Sequence, residues 1–295
     1  MFSALLTHRG IDVPFGFKSK LLSGESCWES FSSQIKSGFG LEFDLQLTTD
    51  GAFAVCHDAY LGRLSDGKLD VSIADLNRRE LRAVRLPGGR LCDLEELLDL
   101  VVQFGGTPSA LHLKHQNQSE RTIGRLVDHL RPFASCLRDR LFLFDAGPTA
   151  ASRIKEALPE LSLAASVSHE FDINRYGELT GGTLLSIEEA IARKALYSWV
   201  WLDEWDRIGP AGSRKELVTA ETIKTLREHG FKIAAVSPEL HATSPGLLGG
   251  EAHEDAAAPD QLIGRWKRWA SLSIDALCTD HASWLREYQR ANSGR

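Results

Sequence analysis

The chain has 295 residues, 43% hydrophobic and 25% charged, which supplies enough apolar material for the core of a large globular protein. The formal net charge is −6, which excludes the global basic field that draws a protein to nucleic acid or to acidic membrane surfaces. An anionic small molecule would therefore have to be bound by local Lys and Arg side chains.

Short apolar runs alternate with longer amphipathic segments, which is typical of a parallel sheet wrapped by helices. Eight runs are predicted to be strands: Ser3–His8, Gly40–Leu47, Ser109–Lys114, Arg140–Phe144, Leu161–Val167, Ser198–Leu202, Phe231–Val236 and Ala276–Thr279. The clearest helical spacing puts five apolar residues on one face: Leu94, Leu97, Leu98, Val101 and Val102. Eight strands separated by helices predict an α/β protein with a TIM (β/α)8 barrel, and an open doubly wound sheet is the alternative.

We expect a single barrel domain over residues 1–295, with two longer stretches between its elements. Residues 51–90 form an insertion after the second predicted strand, beginning with the hairpin-like piece Ala52–Cys56. Leu240–Asp260 follows the seventh predicted strand and is rich in Gly, Ala, Pro and acidic residues. Both stretches should emerge at the carboxyl ends of the strands, where active sites of such barrels form.

Two carboxylates mark the second predicted strand. Glu42 and Asp44 are two residues apart, so both side chains point to the same side of the sheet, which is the barrel interior. Carboxylates inside a barrel are costly unless a cation or hydrogen bonds compensate them. A hard metal ion is the simplest compensation, and ion pairs with barrel Arg or Lys residues are the alternative.

Further polar residues follow the neighbouring strands. His8 and Arg9 end the first strand, His112 and Lys114 end the third, and His57 follows the apolar run at the start of the insertion. Each residue alone has a structural explanation, such as a core histidine or a salt bridge. Together they offer two imidazoles for proton transfer and two cations for a phosphate, beside a candidate metal site. That combination favours phosphodiester cleavage.

In their order along the chain, these residues resemble the glycerophosphodiester phosphodiesterase family of phospholipase-C-like barrels. The matching segments are Thr7–Gly10, Glu25–Cys27 with Phe31, Gly38–Asp44, Thr48–Gly51, Val55–Asp58, Leu61–Arg63 and Ile274–Asp280. The resemblance is most specific in the first of these blocks and thins after Lys114.

The resemblance implies an enzyme of lipid metabolism that hydrolyses a glycerophosphodiester-like small molecule to an alcohol and a phosphomonoester. It implies that His8 and His57 are the general base and the general acid, and that Arg9 holds the phosphate. It also implies one divalent ion, Mg²⁺ or Ca²⁺, bound by Glu42 and Asp44.

Three positions depart from the family pattern. His112 stands where the family has a Glu as third metal ligand, which shifts the expected preference toward Mn²⁺ or Zn²⁺. We expect His112 either to ligate the metal directly, which we favour, or to hold a metal-bound water. Ser26 replaces the Asn of a Glu-Asn-Thr run, and Val236–Glu239 replaces Trp-Thr-Val-Asn in a segment that shapes the substrate pocket.

These departures leave alternatives open for the substrate and for the activity. One is a specialised lipid- or sugar-phosphodiester enzyme of the same superfamily, and the other is a catalytically impaired barrel that acts as a binding protein. The presence of both His8 and His57 argues against the impaired barrel. Four residues at the end of the sixth predicted strand are candidates either to line a differently shaped pocket or only to pack: Trp201, Asp203, Glu204 and Trp205.

The expected location is the cytoplasm, with no stable membrane anchor and no nucleic-acid partner. No stretch of the sequence is long and apolar enough to span a bilayer, and the N-terminal residues lack the features of a signal peptide. The five cysteines are scattered without Cys-x-x-Cys spacing, as in reduced intracellular proteins. The sequence sets no oligomeric state.

Overall fold

The computed structural model describes residues 1–15, 24–240, 253–256 and 258–292. In chain order, the strands of these residues are β1 (Ala4–His8), β2 (Gly40–Leu47), β3 (Phe53–Val55), β4 (Arg85–Leu86), β5 (Gly89–Arg90), β6 (Ser109–His112), β7 (Leu141–Phe144), β8 (Ser162–Val167), β9 (Trp199–Leu202), β10 (Lys232–Val236) and β11 (Ala276–Thr279). The α-helices are α1 (Trp28–Lys36), α2 (Arg78–Ala83), α3 (Leu94–Phe104), α4 (Glu120–Leu130), α5 (Ala134–Leu137), α6 (Pro148–Ala157), α7 (Glu170–Tyr176), α8 (Ile187–Ala192), α9 (Ala220–Glu228), α10 (Pro259–Ala270) and α11 (Ala282–Asn292).

Eight of the strands close into a parallel barrel. They follow the order β1, β2, β6, β7, β8, β9, β10 and β11, and β1 closes the ring by pairing in parallel with both β2 and β11. The predicted TIM (β/α)8 barrel is therefore confirmed. The bounds of the predicted strands differ from the observed ones by at most two residues.

Helix starts follow local capping signals. Asp93 accepts a hydrogen bond from the Glu96 backbone N–H at the start of α3, and the Glu96 side chain accepts from the Asp93 N–H in return. Ser119 and Thr219 cap α4 and α9 through their side-chain oxygens, which accept from the backbone N–H groups of Thr122 and Thr222. The apolar faces of these helices are buried against the barrel.

Strand alternation divides the buried apolar side chains into two layers. Outward-facing residues of β2, Leu41, Phe43 and Leu45, pack in the large cluster between the sheet and the helices. Inward-facing aromatic residues, among them Phe144 and Trp201, fill the barrel in a second cluster. Because Glu42 and Asp44 alternate with the outward residues, their carboxylates lie inside the barrel.

The insertion after β2 returns the chain to the barrel mouth. β3 pairs antiparallel with β2, with Leu45 opposite Val55, and the Cys56 N–H donates to the Asp44 carbonyl at 3.0 Å. This bond brings the next residue, His57, to the carboxyl end of β2. The rest of the insertion contains α2 and the short β4–β5 hairpin.

Most of the stretch Leu240–Asp260, which we expected at the same face, lies outside the described residues. None of the described helices combines the length and the apolar composition needed to cross a membrane.

Candidate active site

A pocket of about 280 Å³ lies at the carboxyl ends of the barrel strands. Six of the seven residues predicted for the site line it: His8, Arg9, Glu42, His57, His112 and Lys114. The seventh, Asp44, is only 2% exposed and contacts Arg9, His112 and Lys114. Residues from β1, β2, β6 and the insertion therefore meet at one place.

The buried carboxylates have the chemistry of a metal site. One donor atom each of Glu42, Asp44 and His112 lies within 4.8 Å of the other two. Within the described part of the chain, Glu42 Oε2 is buried and has no hydrogen-bond partner. Burial, together with the charge of Asp44, raises the pKa of Glu42 to about 6. A divalent cation would compensate both carboxylates, so the residues present fit such an ion.

Asp44 also has protein cations beside it. Lys114 Nζ lies 3.4 Å from Oδ1, and Arg9 Nε lies 3.4 Å from Oδ2. Burial opposes ionisation, but the charge of Lys114 and the hydrogen bond from His112 hold the pKa of Asp44 well below its usual range. Ion pairs thus compensate Asp44, as the alternative interpretation proposed, but they do not satisfy Glu42 Oε2.

Two pocket histidines each place Nδ1 against a carboxylate. His8 Nδ1 lies 2.9 Å from Asp280 Oδ1, and His57 Nδ1 lies 2.7 Å from Asp58 Oδ1. If each neutral ring donates its Nδ1 proton to the carboxylate, the lone pair lies on Nε2. Burial lowers the pKa of His57 to about 4 against the opposing charge of Asp44, so this ring is neutral near pH 7.

Arg63 links Glu25, which contacts Arg9, to Asp58, which contacts His57. Its guanidinium donates two 2.7 Å bonds to the Glu25 carboxylate and contacts Asp58 at 2.7 and 3.0 Å. Glu25 Oε1 lies 3.7 Å from Arg9 Nη1. Arg9 and Asp58, the partner of His57, are therefore held by one ion-pair chain.

Arg9 has an unusual backbone. Its φ of +54° lies in the left-handed region, and its N–H donates to the Glu42 carbonyl at 2.9 Å. The Arg9 carbonyl accepts a 2.8 Å bond from the N–H of Ser26. Because Ser26 acts here through its backbone, its departure from the family's Asn leaves this bond intact.

His112 is held on three sides. Its Nδ1 lies 2.8 Å from Asp44 Oδ1, its Nε2 lies 2.8 Å from Asp145 Oδ2, and its ring stacks on Phe144 at 4.7 Å. Burial opposes protonation, but the bonds with Asp145 and Asp44 raise the pKa of His112 to about 9. A metal ion would have to displace a proton from this ring in order to bind it.

Sequence reasoning missed the parts played by Asp145 and Asp280. Asp145 directly follows β7 and Asp280 directly follows β11, so both obey the strand-end rule that identified the other residues. The signal was present in the sequence, but the partners of these carboxylates depend on contacts across the barrel.

Part of the pocket lining is apolar. Trp201 stacks on Phe144 at 4.2 Å, and Trp205, Leu179 and Leu184 continue this wall. Of the four residues considered at the end of β9, three line the pocket: Trp201, Asp203 and Trp205.

The fourth residue considered there, Glu204, is turned into the protein. It pairs with the fully buried Arg265 of α10, and His253 Nε2 lies 3.2 Å from its Oε1. Glu204 also accepts a 2.5 Å hydrogen bond from the Leu217 N–H. Glu204 therefore ties the loop after β9 to α10.

Comparison with known proteins gives three findings. The model of the glycerophosphoryl diester phosphodiesterase family matches residues 8–235, a range that contains all seven predicted site residues. A mouse lysophospholipase D is 31% identical over 141 residues, and the match covers 44% of this chain and 41% of that protein. The chain therefore spans less than half the length of this curated relative.

Solved structures share the fold. A glycerophosphoryl diester phosphodiesterase from Parabacteroides distasonis has a TM-score of 0.63 and 17% identity, with 98% of this chain and 87% of that chain covered. An Oleispira antarctica phosphodiesterase, solved in complex with the product sn-glycerol-3-phosphate, has a TM-score of 0.59 and 16% identity, with coverage of 97% and 96%.

Proposed function

The chain belongs to the glycerophosphoryl diester phosphodiesterase family, and on this premise we propose that it hydrolyses a small glycerophosphodiester-like substrate, with a divalent metal ion, to an alcohol and a phosphomonoester. One observation carries the proposal: two carboxylate-paired histidines line the same pocket as Glu42, whose buried oxygen lacks a hydrogen-bond partner among the described residues. The product bound by the Oleispira protein supports a substrate of this size.

Glu42, Asp44 and His112 would hold the ion. When bound, the ion would neutralise phosphate oxygens and stabilise the charge of the transition state. The family resemblance favours Mg²⁺ or Ca²⁺, whereas a nitrogen donor favours Mn²⁺ or Zn²⁺.

Of the remaining site residues, two bind the phosphate and two transfer protons. Arg9 and Lys114 bind the phosphate as cations. His8 accepts the proton of the attacking hydroxyl, which belongs to water or to the substrate, and His57 donates a proton to the leaving alcohol. Attack by water gives the phosphomonoester directly, whereas attack by the substrate's own hydroxyl gives a cyclic phosphodiester that a water then opens to the phosphomonoester. Since His57 is neutral in the substrate-free protein, it takes up its proton when the anionic phosphate binds nearby.

A second candidate is a lipid phosphodiester such as a lysophospholipid. The apolar part of the pocket lining offers Trp201, Trp205, Leu179 and Leu184 to an apolar group. The 31% identity with the mouse lysophospholipase D supports the same substrate class. Glycerol itself would gain little from such a wall.

The test is an activity screen on metal-stripped protein. Release of a phosphomonoester is measured on glycerophosphodiesters with different alcohols and on lysophospholipids, with Mg²⁺, Ca²⁺, Mn²⁺ or Zn²⁺ added back singly. We expect no turnover after chelation and recovery with at least one metal, and His8→Ala serves as the control for contaminating activity.

Turnover that survives exhaustive chelation would contradict the metal mechanism. Inactivity on all diesters with all four metals would favour the binding-protein alternative. A preference for lysophospholipids over glycerophosphodiesters would select the second candidate.

A further inference from the structure

Asp145, which directly follows β7, contacts His112 of the candidate metal site. Its Oδ2 lies 2.8 Å from His112 Nε2, while His112 Nδ1 lies 2.8 Å from Asp44 Oδ1. Asp44, His112 and Asp145 thus form a row that runs from β2 across β6 to the residue that directly follows β7.

Asp145 is held in position by its own backbone. Its φ is +61°, a left-handed conformation that Asp tolerates better than most residues. The Asp145 N–H donates to Ser166 Oγ at 3.0 Å, and its carbonyl accepts a 2.6 Å bond from Gln118 Nε2. The same Gln118 side chain accepts from the Gly147 N–H at 3.0 Å. The carboxylate is therefore presented to His112 by a loop with little freedom.

An imidazole binds a metal only through a nitrogen that carries no proton. If Asp145 accepts the Nε2–H, the lone pair of His112 lies on Nδ1, which faces Asp44. Glu42 offers a third donor atom to the same place, and the donor atoms of Glu42, Asp44 and His112 all lie within 4.8 Å of one another. His112 Nδ1 and Asp44 Oδ1 lie 2.8 Å apart, so one ion could take both as donors.

We propose that Asp145 is a positioning residue that fixes the tautomer and ring orientation of His112, so that His112 Nδ1 serves as the third metal ligand in place of a carboxylate. The site then has two carboxylates and one nitrogen, and it prefers Mn²⁺ or Zn²⁺ over Mg²⁺ or Ca²⁺. This inference rests on the proposed metal-dependent function and names the ligand set of that same site.

Mn²⁺ binding tests the proposal, because the spectrum of bound Mn²⁺ reports a coordinated nitrogen directly. The Mn²⁺ affinity is measured by titration, and nitrogen coupling is measured by pulsed electron paramagnetic resonance, on the wild type and on His112→Ala, Asp145→Asn and Asp145→Ala. Asn tolerates the left-handed backbone of residue 145, and melting curves without metal check that each variant folds. Asp58→Asn is the matched control, since it alters the carboxylate partner of the other histidine, His57.

We expect nitrogen coupling in the wild type and in Asp58→Asn, its loss in His112→Ala, and an affinity loss of about 10- to 100-fold in the Asp145 variants. Wild-type Mn²⁺ without nitrogen coupling, or folded Asp145 variants that bind Mn²⁺ as tightly as the wild type, would overturn the inference.

Phosphodiester turnover of the wild type, measured in parallel, separates this result from the proposed function. Turnover that requires Mn²⁺ but shows no coordinated nitrogen leaves the function standing and removes the part assigned to Asp145. Turnover without any metal removes both.

Discussion

The substitution Asp280→Asn tests how much turnover depends on the carboxylate that pairs with His8, the proposed general base. Asp280 Oδ1 lies 2.9 Å from His8 Nδ1, and the two residues are 1% and 4% exposed, so water cannot take the place of a lost partner. Asn keeps the size of the side chain and removes the charge that holds the Nδ1 proton.

The expected loss of rate follows from the free energy of this hydrogen bond. A hydrogen bond to a charged group contributes about 1.5–3 kcal/mol, and each 1.4 kcal/mol or so of barrier corresponds to a tenfold change in rate. If the bond is needed in the transition state, kcat of Asp280→Asn should fall about 10- to 150-fold. KM should change less, because Asp280 is not among the residues that line the pocket.

Steady-state kinetics on the best diester of the screen check this expectation. Glu95→Gln is a matched control, because Glu95 Oε1 lies 2.7 Å from His129 Nδ1 in a similar pair between α3 and α4, away from the pocket. It should leave kcat and KM unchanged. A folded Asp280→Asn protein with kcat within threefold of the wild type, or with the loss confined to KM, would refute the reasoning.

Substitutions at four other positions give further predictions. His8→Ala and His57→Ala should each lower kcat by roughly a hundredfold or more, the scale of general acid–base catalysis, as single-turnover assays at saturating metal would show. His112→Glu should shift the metal preference toward Mg²⁺ or Ca²⁺ and should largely retain activity. If His112→Glu and His112→Ala both leave metal affinity and turnover unchanged, His112 is only a core histidine. Glu204→Gln should destabilise the fold by about 3 kcal/mol, the lower end for a broken buried ion pair, because Arg265 keeps other acidic partners. A thermal melt should then show a Tm lower by about 6–12 °C, although the substitution changes no residue that lines the pocket. An unchanged Tm would contradict the structural assignment of Glu204.

Local properties of the chain were enough to predict the barrel and to predict that most of the candidate site residues share one pocket. Apolar runs define the barrel strands to within two residues, because a strand buried on both faces needs a continuous apolar segment. Alternation along a strand determines that Glu42 and Asp44 share the inner face, and parallel strands collect their carboxyl ends at one mouth. His8 and His112 could therefore be assigned to one pocket without any tertiary information.

Tertiary structure decided which partners these side chains meet. His8 and Asp280 are 272 residues apart and meet because β11 closes the barrel against β1. Beyond the last residue of a strand, alternation no longer sets the direction of a side chain, so Asp145 turns to His112 while Glu204 turns away from the pocket to Arg265. Such directions follow from loop backbones and from charges contributed by distant segments, which no local pattern in the sequence records.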